Sequence, residues 1–182
     1  MPKVVDHEAR RAELVAAVWR VIATRGLAAV TIRDVAAEAG WSSGALRHYL
    51  PTREELLVFA FRLAGDRAAA RIRAAEDGGL AAQLEQALPL DAERREEALI
   101  WFAFVGMAPS EPKLAAELDR MYANIAEWLA GRLGGRDRVR RAAVLFAAVD
   151  GITIQALAMP SVMTPERQRA ALRLQLRALG VS

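Results

Sequence analysis

The chain contains no cysteine, which excludes disulfides, thiolate metal sites and a cysteine nucleophile. Histidine is nearly as scarce: His7 and His48 are the two present. His48 has no second histidine or carboxylate at ligand spacing, and no Glu-x-x-His metal motif occurs, so no metal site is expected. A phosphate-binding glycine loop is also missing. These absences remove the main enzymatic options of a helical protein, and no catalytic residue and no cofactor is expected. Lysine occurs only as Lys3 and Lys113, so the formal net charge of +3 rests on arginine. That mild excess permits nucleic-acid binding without arguing for it. No apolar run followed by a small-residue cleavage site opens the chain. The most apolar stretches, 99–108 and 142–149, are short for a bilayer, and Asp150 interrupts the second. The expectation is a soluble, cytoplasmic protein with no membrane partner.

Period-two alternation is lacking as well, and nearly every segment shows helical period instead. Leu14, Val18, Val21 and Ile22 form one face of a first helix over 7–25, ended by Gly26. Thr31 caps a second helix, with Asp34 at the capping-box position, and Gly40 stops it. Ser42 caps a short third helix closed by Pro51. Thr52 caps a long fourth helix that runs to about residue 76. A brief helix ends near Pro89, and Asp91 opens a sixth. The second half of the sixth, "LIWFAFVGMA", is apolar all round and should be central and buried. Leu114, Leu118, Met121, Tyr122, Ile125 and Leu129 stripe a seventh. Residues 139–159 form an eighth, and Thr164-Pro165 starts a ninth. The expected architecture is all-α, with about nine helices.

The second and third helices are joined by about three residues containing a glycine, the spacing of a helix-turn-helix. Ala36 and Ala39 allow close crossing, Val35 and Leu46 can share a core, and Gly40 can turn left-handed. Gly44 removes bulk where a duplex would approach. Ser42 and Ser43 offer hydroxyls and free N–H groups at a helix start. Arg47 can take guanine bidentately or clamp a phosphate, and His48 and Tyr49 can bond bases or phosphates. An ordinary αα-corner is the alternative.

The stretch "TIRDVAAEAGWSSGALRHYLPTREELL" resembles the DNA-binding signature of the TetR family of bacterial transcriptional regulators, and "RRAELVAAVWRVIATRGLAAV" is similar to that family's first helix. The likeness covers the first third of the chain residue by residue and the rest by helix layout. "GALRHYL", the Trp101 region and "AAVDGITIQAL" are similar to the subgroup of the betaine-pathway repressor. The resemblance implies a DNA-binding domain over 1–52 and a ligand-binding and dimerisation domain over 53–182. It places Thr31 and Arg33 where the second helix crosses the DNA backbone. It places Ser42, Ser43, Ala45, Arg47 and His48 in the groove, and Tyr49 and Arg53 on phosphates. Trp41 departs from the family pattern, standing where a small aliphatic is common.

In the second half, large aromatics and methionines surround a few polar groups, which describes either a packed core or a small-molecule pocket. The candidate effector site is Trp101, Phe104, Met121, Asn124, Trp128, Phe146, Asp150 and Gln155. Asp150 interrupts an apolar helix and must meet a partner, because an unpaired carboxylate there is costly. Leu145, Val149, Ile152 and Ala156 on the eighth helix, with Leu172, Leu176 and Leu179 on the ninth, read as a homodimer interface. The function expected is a transcriptional repressor, released from a pseudo-palindromic double-stranded DNA operator by a small hydrophobic or amphipathic effector. An activator of the same fold, a helical-bundle enzyme and a protein-only adaptor are the alternatives.

Overall fold

The computed structural model describes residues 7–26 and 29–181, and the arm carrying Lys3 lies outside them. Nine α-helices make up these residues: α1 (His7–Arg25), α2 (Ile32–Ala39), α3 (Ser43–Tyr49), α4 (Arg53–Ala74), α5 (Gly79–Glu85), α6 (Ala92–Met107), α7 (Pro112–Leu133), α8 (Arg138–Ala158) and α9 (Pro165–Ala178). Short 3-10 turns at 76–78 and 108–110 link α4 to α5 and α6 to α7. The chain divides into two compact units between Ala64 and Gly65. The sequence suggested a division at 52/53. The break falls later because the first half of α4 contributes Leu56, Leu57, Ala60 and Phe61, all buried, to the first unit.

In the first unit the apolar stripe of α1 meets α2, and Val18, Val21, Val30, Val35, Ala36 and Leu46 are fully buried. Two arginines on α1 hold α2: Arg20 Nε reaches Glu38 at 2.7 Å, and Arg25 reaches Asp34 at 3.2 Å. Thr31 caps α2 by accepting the Asp34 N–H at 3.1 Å. The reciprocal contact runs between the side chains, because the Thr31 hydroxyl donates to the Asp34 carboxylate. That bond is the main cause holding the Asp34 carboxyl below its ordinary value. Gly40 ends α2 at φ +70°, in the left-handed region where a side chain is strained. Ser42 then caps α3, taking the Ala45 N–H at 3.1 Å.

In the second unit a core of Leu84, Leu88, Leu129, Leu145, Val149, Ile152, Leu172 and Leu176 joins α5, α7, α8 and α9. Charged side chains lock the helices around it. Arg95 on α6 donates to the carbonyls of Ala156 and Leu157 at 3.0 and 2.9 Å, satisfying the last turn of α8. Arg169 on α9 donates to Glu85 at the end of α5 at 3.1 Å. Arg71 on α4 grips Glu97 on α6 with two prongs, Nη1 to Oε1 at 2.8 Å, the pairing geometry a guanidinium favours.

Two sequence expectations change here. The second half of α6 is not buried all round: Leu99 is 45% exposed, whereas Ile100 and Phe104 are fully buried. Apolar composition alone cannot tell a core helix from one with an uncovered edge. The apolar stretch of α8 is also longer than 142–149. Length and composition alone do not separate α8 from a membrane span, since the core helix of a folded unit has the same character. Asp150 is accommodated within the helix by its hydrogen bond from Tyr122. One face of α8 packs in the core just described.

Candidate nucleic-acid interface and effector site

The helix-turn-helix presents α3 as an outward ridge. Leu46 points into the core at 0% exposure, while Gly44, Ala45, Arg47 and His48 are exposed. A Cβ on Gly44 would meet only Ser42 Oγ, at 3.9 Å, so nothing within the chain demands glycine at that point of the ridge. Ser43 is half-buried. At 100° per residue, Arg47 and Tyr49 lie on opposite flanks of the ridge.

On the Arg47 flank an open groove of about 630 Å³ is lined by Thr31, Ile32, Arg33, Arg47, Pro51, Thr52 and Arg53. Three arginine side chains thus line one concavity. Arg53 Nε donates to the Val30 carbonyl at 3.0 Å, which fixes that guanidinium while its two outer nitrogens stay available for an anion. Thr31 contributes its shape to the groove, but its hydroxyl is spent on Asp34. On the other flank Tyr49 is 40% exposed, and its ring lies 5.4 Å from Trp41 and 5.7 Å from His48. A basic, exposed ridge between a cationic groove and an aromatic flank can dock on a polyanion and present a few side chains to base edges.

In the second unit the structure gathers an aromatic cluster. Trp101 of α6 stacks on Tyr122 of α7 at 5.4 Å and 20°, and Phe146 of α8 lies 4.6 Å from Tyr122 and 6.4 Å from Trp101. All three are half-buried. Asp150, one turn beyond Phe146, accepts the Tyr122 hydroxyl at 2.9 Å. Burial pushes the Asp150 carboxyl up, against the hydrogen bonds of Tyr122 and Trp101, which favour the carboxylate. Burial and the same carboxylate also push the Tyr122 hydroxyl up, so it stays a donor. Aromatic faces beside a shielded carboxylate can hold a small cation.

Of the expected effector residues, Trp101, Phe146 and Asp150 come together. Phe104 is fully buried and belongs to the core. Trp128 packs against the α5–α9 core, and Met121 sits against Gly65 of α4, where an added Cβ would lie 2.9 Å from its methyl carbon. Asn124 and Gln155 are exposed, and helical spacing turns them away from Tyr122 and Asp150. Tyr122 is the member the sequence did not single out. The buried carboxylate announced the need for a donor, but helical spacing could not say which residue of the α7 stripe supplies it.

The expected dimer residues require correction. Leu145, Val149, Ile152, Ala156, Leu172 and Leu176 are all buried within the chain, at 0–8% exposure, and Leu179 packs against the same core. Amphipathic spacing found the apolar face of each helix, but the two faces cover each other and α5 and α7. What α8 and α9 leave uncovered is a second apolar set, Val144 at 51%, Ile154 at 49% and Leu174 at 62% exposed. On α8 the outer stripe also carries Gly151, whose missing Cβ would meet nothing within 4 Å.

Comparison with known proteins matches both units. Residues 14–58 fit the family profile described as bacterial regulatory proteins, tetR family, and residues 76–181 fit that of the BetI-type transcriptional repressor, C-terminal. The HTH-type transcriptional regulator PksA of Bacillus subtilis (strain 168) is 31% identical over 195 residues, spanning 100% of this chain and 95% of that protein. The crystal structure of a transcriptional regulator from Rhodococcus sp. Rha1 is 35% identical with a TM-score of 0.86, covering 93% of this chain and 95% of that one. The multidrug binding protein EbrR, solved in complex with imidazole, is 26% identical with a TM-score of 0.72, covering 91% and 94%. With a helix-turn-helix at one end and a BetI-type helical domain filling the remainder, the chain belongs to the TetR family and is a ligand-responsive, DNA-binding transcriptional regulator.

Proposed function

We propose that the chain is a homodimeric repressor that leaves a pseudo-palindromic operator when a small amphipathic cation settles on Trp101, Tyr122 and Phe146 beside Asp150. The observation that carries the effector class is the aromatic cluster with its half-buried carboxylate. A neutral hydrophobic ligand would gain from the rings but would leave the carboxylate poorly solvated, whereas a cation offsets both. The rings touch one another, so the ligand lies on their half-exposed faces, which favours a compact head group.

The first unit, which runs through the helix-turn-helix into the first half of α4, supplies the DNA-binding surface. Arg33, Arg47 and Arg53 hold a backbone phosphate in their groove, and Ala45 and His48 on the ridge meet base edges. The uncovered apolar faces of α8 and α9 support pairing with a second copy, which would set two recognition ridges against two half-sites. Such a protein works in the cytoplasm, on chromosomal DNA.

The effector class is tested by calorimetry with choline and its neutral isostere 3,3-dimethylbutan-1-ol, alongside release from the operator duplex. The expected result is at least tenfold tighter binding of the cation, matched by its release curve. Equal binding of the two compounds would remove the cation from the reading and leave a hydrophobic effector.

A further inference from the structure

On the flank of α3 where the motif places Tyr49, that ring is joined by Trp41, Arg10 and Glu13, which neither the sequence motif nor the arginine groove accounts for. Trp41, in the turn between α2 and α3, has its ring 5.4 Å from Tyr49. The Arg10 guanidinium of α1 lies over the same indole, 5.0 Å from the ring centroid. The indole N–H donates to Glu13 of α1 at 3.3 Å, and Glu13 in turn lies 3.6 Å from Arg10. Arg10 and Glu13 keep 47% and 54% of their side-chain surface exposed. One indole therefore joins the first turns of α1 to the last turn of the recognition helix.

We infer that Trp41 is a positioning residue for DNA binding, holding the Arg10 guanidinium and the Tyr49 ring together as a second phosphate contact on the flank opposite the arginine groove. The inference rests on α3 being the groove-facing helix. A helix seated in a major groove has a phosphate backbone on each side, and the groove of Arg33, Arg47 and Arg53 serves one side only. A long arginine on an exposed helix face loses considerable side-chain entropy when it is fixed on a phosphate. Contact with the indole prepays part of that cost, because a guanidinium stacks on an aromatic face and keeps its N–H groups pointing outward. Glu13 acts in both directions. Its oxygen orients the indole, but its charge also faces the incoming phosphate and offsets part of Arg10.

That opposition gives a test that simple packing would not pass. Binding to the duplex selected by the wild-type protein from a randomised pool is measured against salt for Arg10→Ala, Glu13→Gln, Trp41→Phe and Trp41→Leu. Each phosphate contact contributes about 0.9 to the slope of log affinity on log salt. Arg10→Ala and Trp41→Leu should each weaken binding about tenfold and lower the slope by about 0.9 per half-site. Trp41→Phe, which keeps an aromatic face, should retain most of the affinity. Glu13→Gln, which keeps an oxygen for the indole but loses the charge, should bind more tightly than wild type. An Arg10→Ala protein with the wild-type slope, or a Glu13→Gln protein that binds no tighter, overturns the inference. Should Trp41→Leu fail to fold, these two exposed substitutions decide alone. A wild-type chain that shows no salt-dependent binding to any duplex would instead sink the assignment of α3, a separate outcome.

Discussion

Burial holds the Asp150 carboxyl above its ordinary value of 3.8, and the sign of that shift gives two opposed pH dependences. The folded chain binds the Asp150 proton more tightly than the unfolded chain does. Between pH 3.8 and the raised folded value, therefore, this group's contribution to stability falls as pH rises. A bound cation needs the carboxylate, so its affinity rises with pH across the same window. Thermal melts and cation titrations of the wild type against Asp150→Asn should show both trends in the wild type and neither in the variant. Arg47 gives a second residue-scale prediction. Its place in a groove with Arg33 and Arg53 favours a phosphate over a guanine. Arg47→Ala should then weaken all duplexes alike and lower the salt slope by about 0.9 per half-site, leaving the selected motif unchanged. A motif relaxed at one symmetric pair of positions would assign it to a base instead. The sequence alone left both roles open for Arg47, because the side chains that share its groove come from three separate segments.

Caps and turns, which depend on neighbours a few residues apart, were legible at the scale of elements. Thr31, Ser42, Asp91 and Thr164 each accept the backbone N–H three residues on, as their spacing suggested. Burial depends on distant partners, so the exposed edge of α6 at Leu99 and the joining of Tyr122 to Asp150 were not. Gly40 offers a clean local test. Nothing lies within 4 Å of where its Cβ would be, so Gly40→Ala should cost only the left-handed backbone strain, about 1–2 kcal/mol, read by denaturant unfolding of the DNA-binding unit. The Arg71–Glu97 grip tests communication. Glu97 stands one turn before Trp101 on α6, and α4 runs unbroken from Arg53 to Ala74. A shift of α6 on effector binding would therefore pull on α4. Arg71→Ala should keep cation affinity near wild type while moving operator release to higher effector concentrations. Coincident binding and release curves, as in wild type, would place the coupling elsewhere.

For the whole molecule, the question is which leucines of α9 belong to the protomer and which to its assembly. Spacing in the sequence picks out Leu172, Leu176 and Leu179 as one face, and that face is spent on the chain's own core. Leu174, two positions from Leu172, points the other way and is 62% exposed. On α8, Ile154 lies opposite Leu145 and Ile152 in the same manner, and Val144, about 100° round from Leu145, flanks that outer face. α8 carries apolar residues on its outer face as well as its inner one, and the exposed Leu174 of the arginine-rich α9 adds to them, a patch that water would penalise in an isolated chain. A two-fold pairing uses one patch twice. Substitution by aspartate separates the two faces. Leu172→Asp buries an unpaired charge in the core and should cost about 4 kcal/mol or more, giving an unfolded or aggregated chain. Leu174→Asp places the charge on the outer face. It should leave the helical circular dichroism and melting of the protomer nearly intact while light scattering reports the monomer mass. Operator binding should then weaken steeply, because one recognition ridge must hold a half-site without its twin, and the salt slope should fall toward half the wild-type value. A Leu174→Asp protein that remains a dimer at micromolar concentration and binds its operator as before would mean that the outer faces of α8 and α9 do not form the interface.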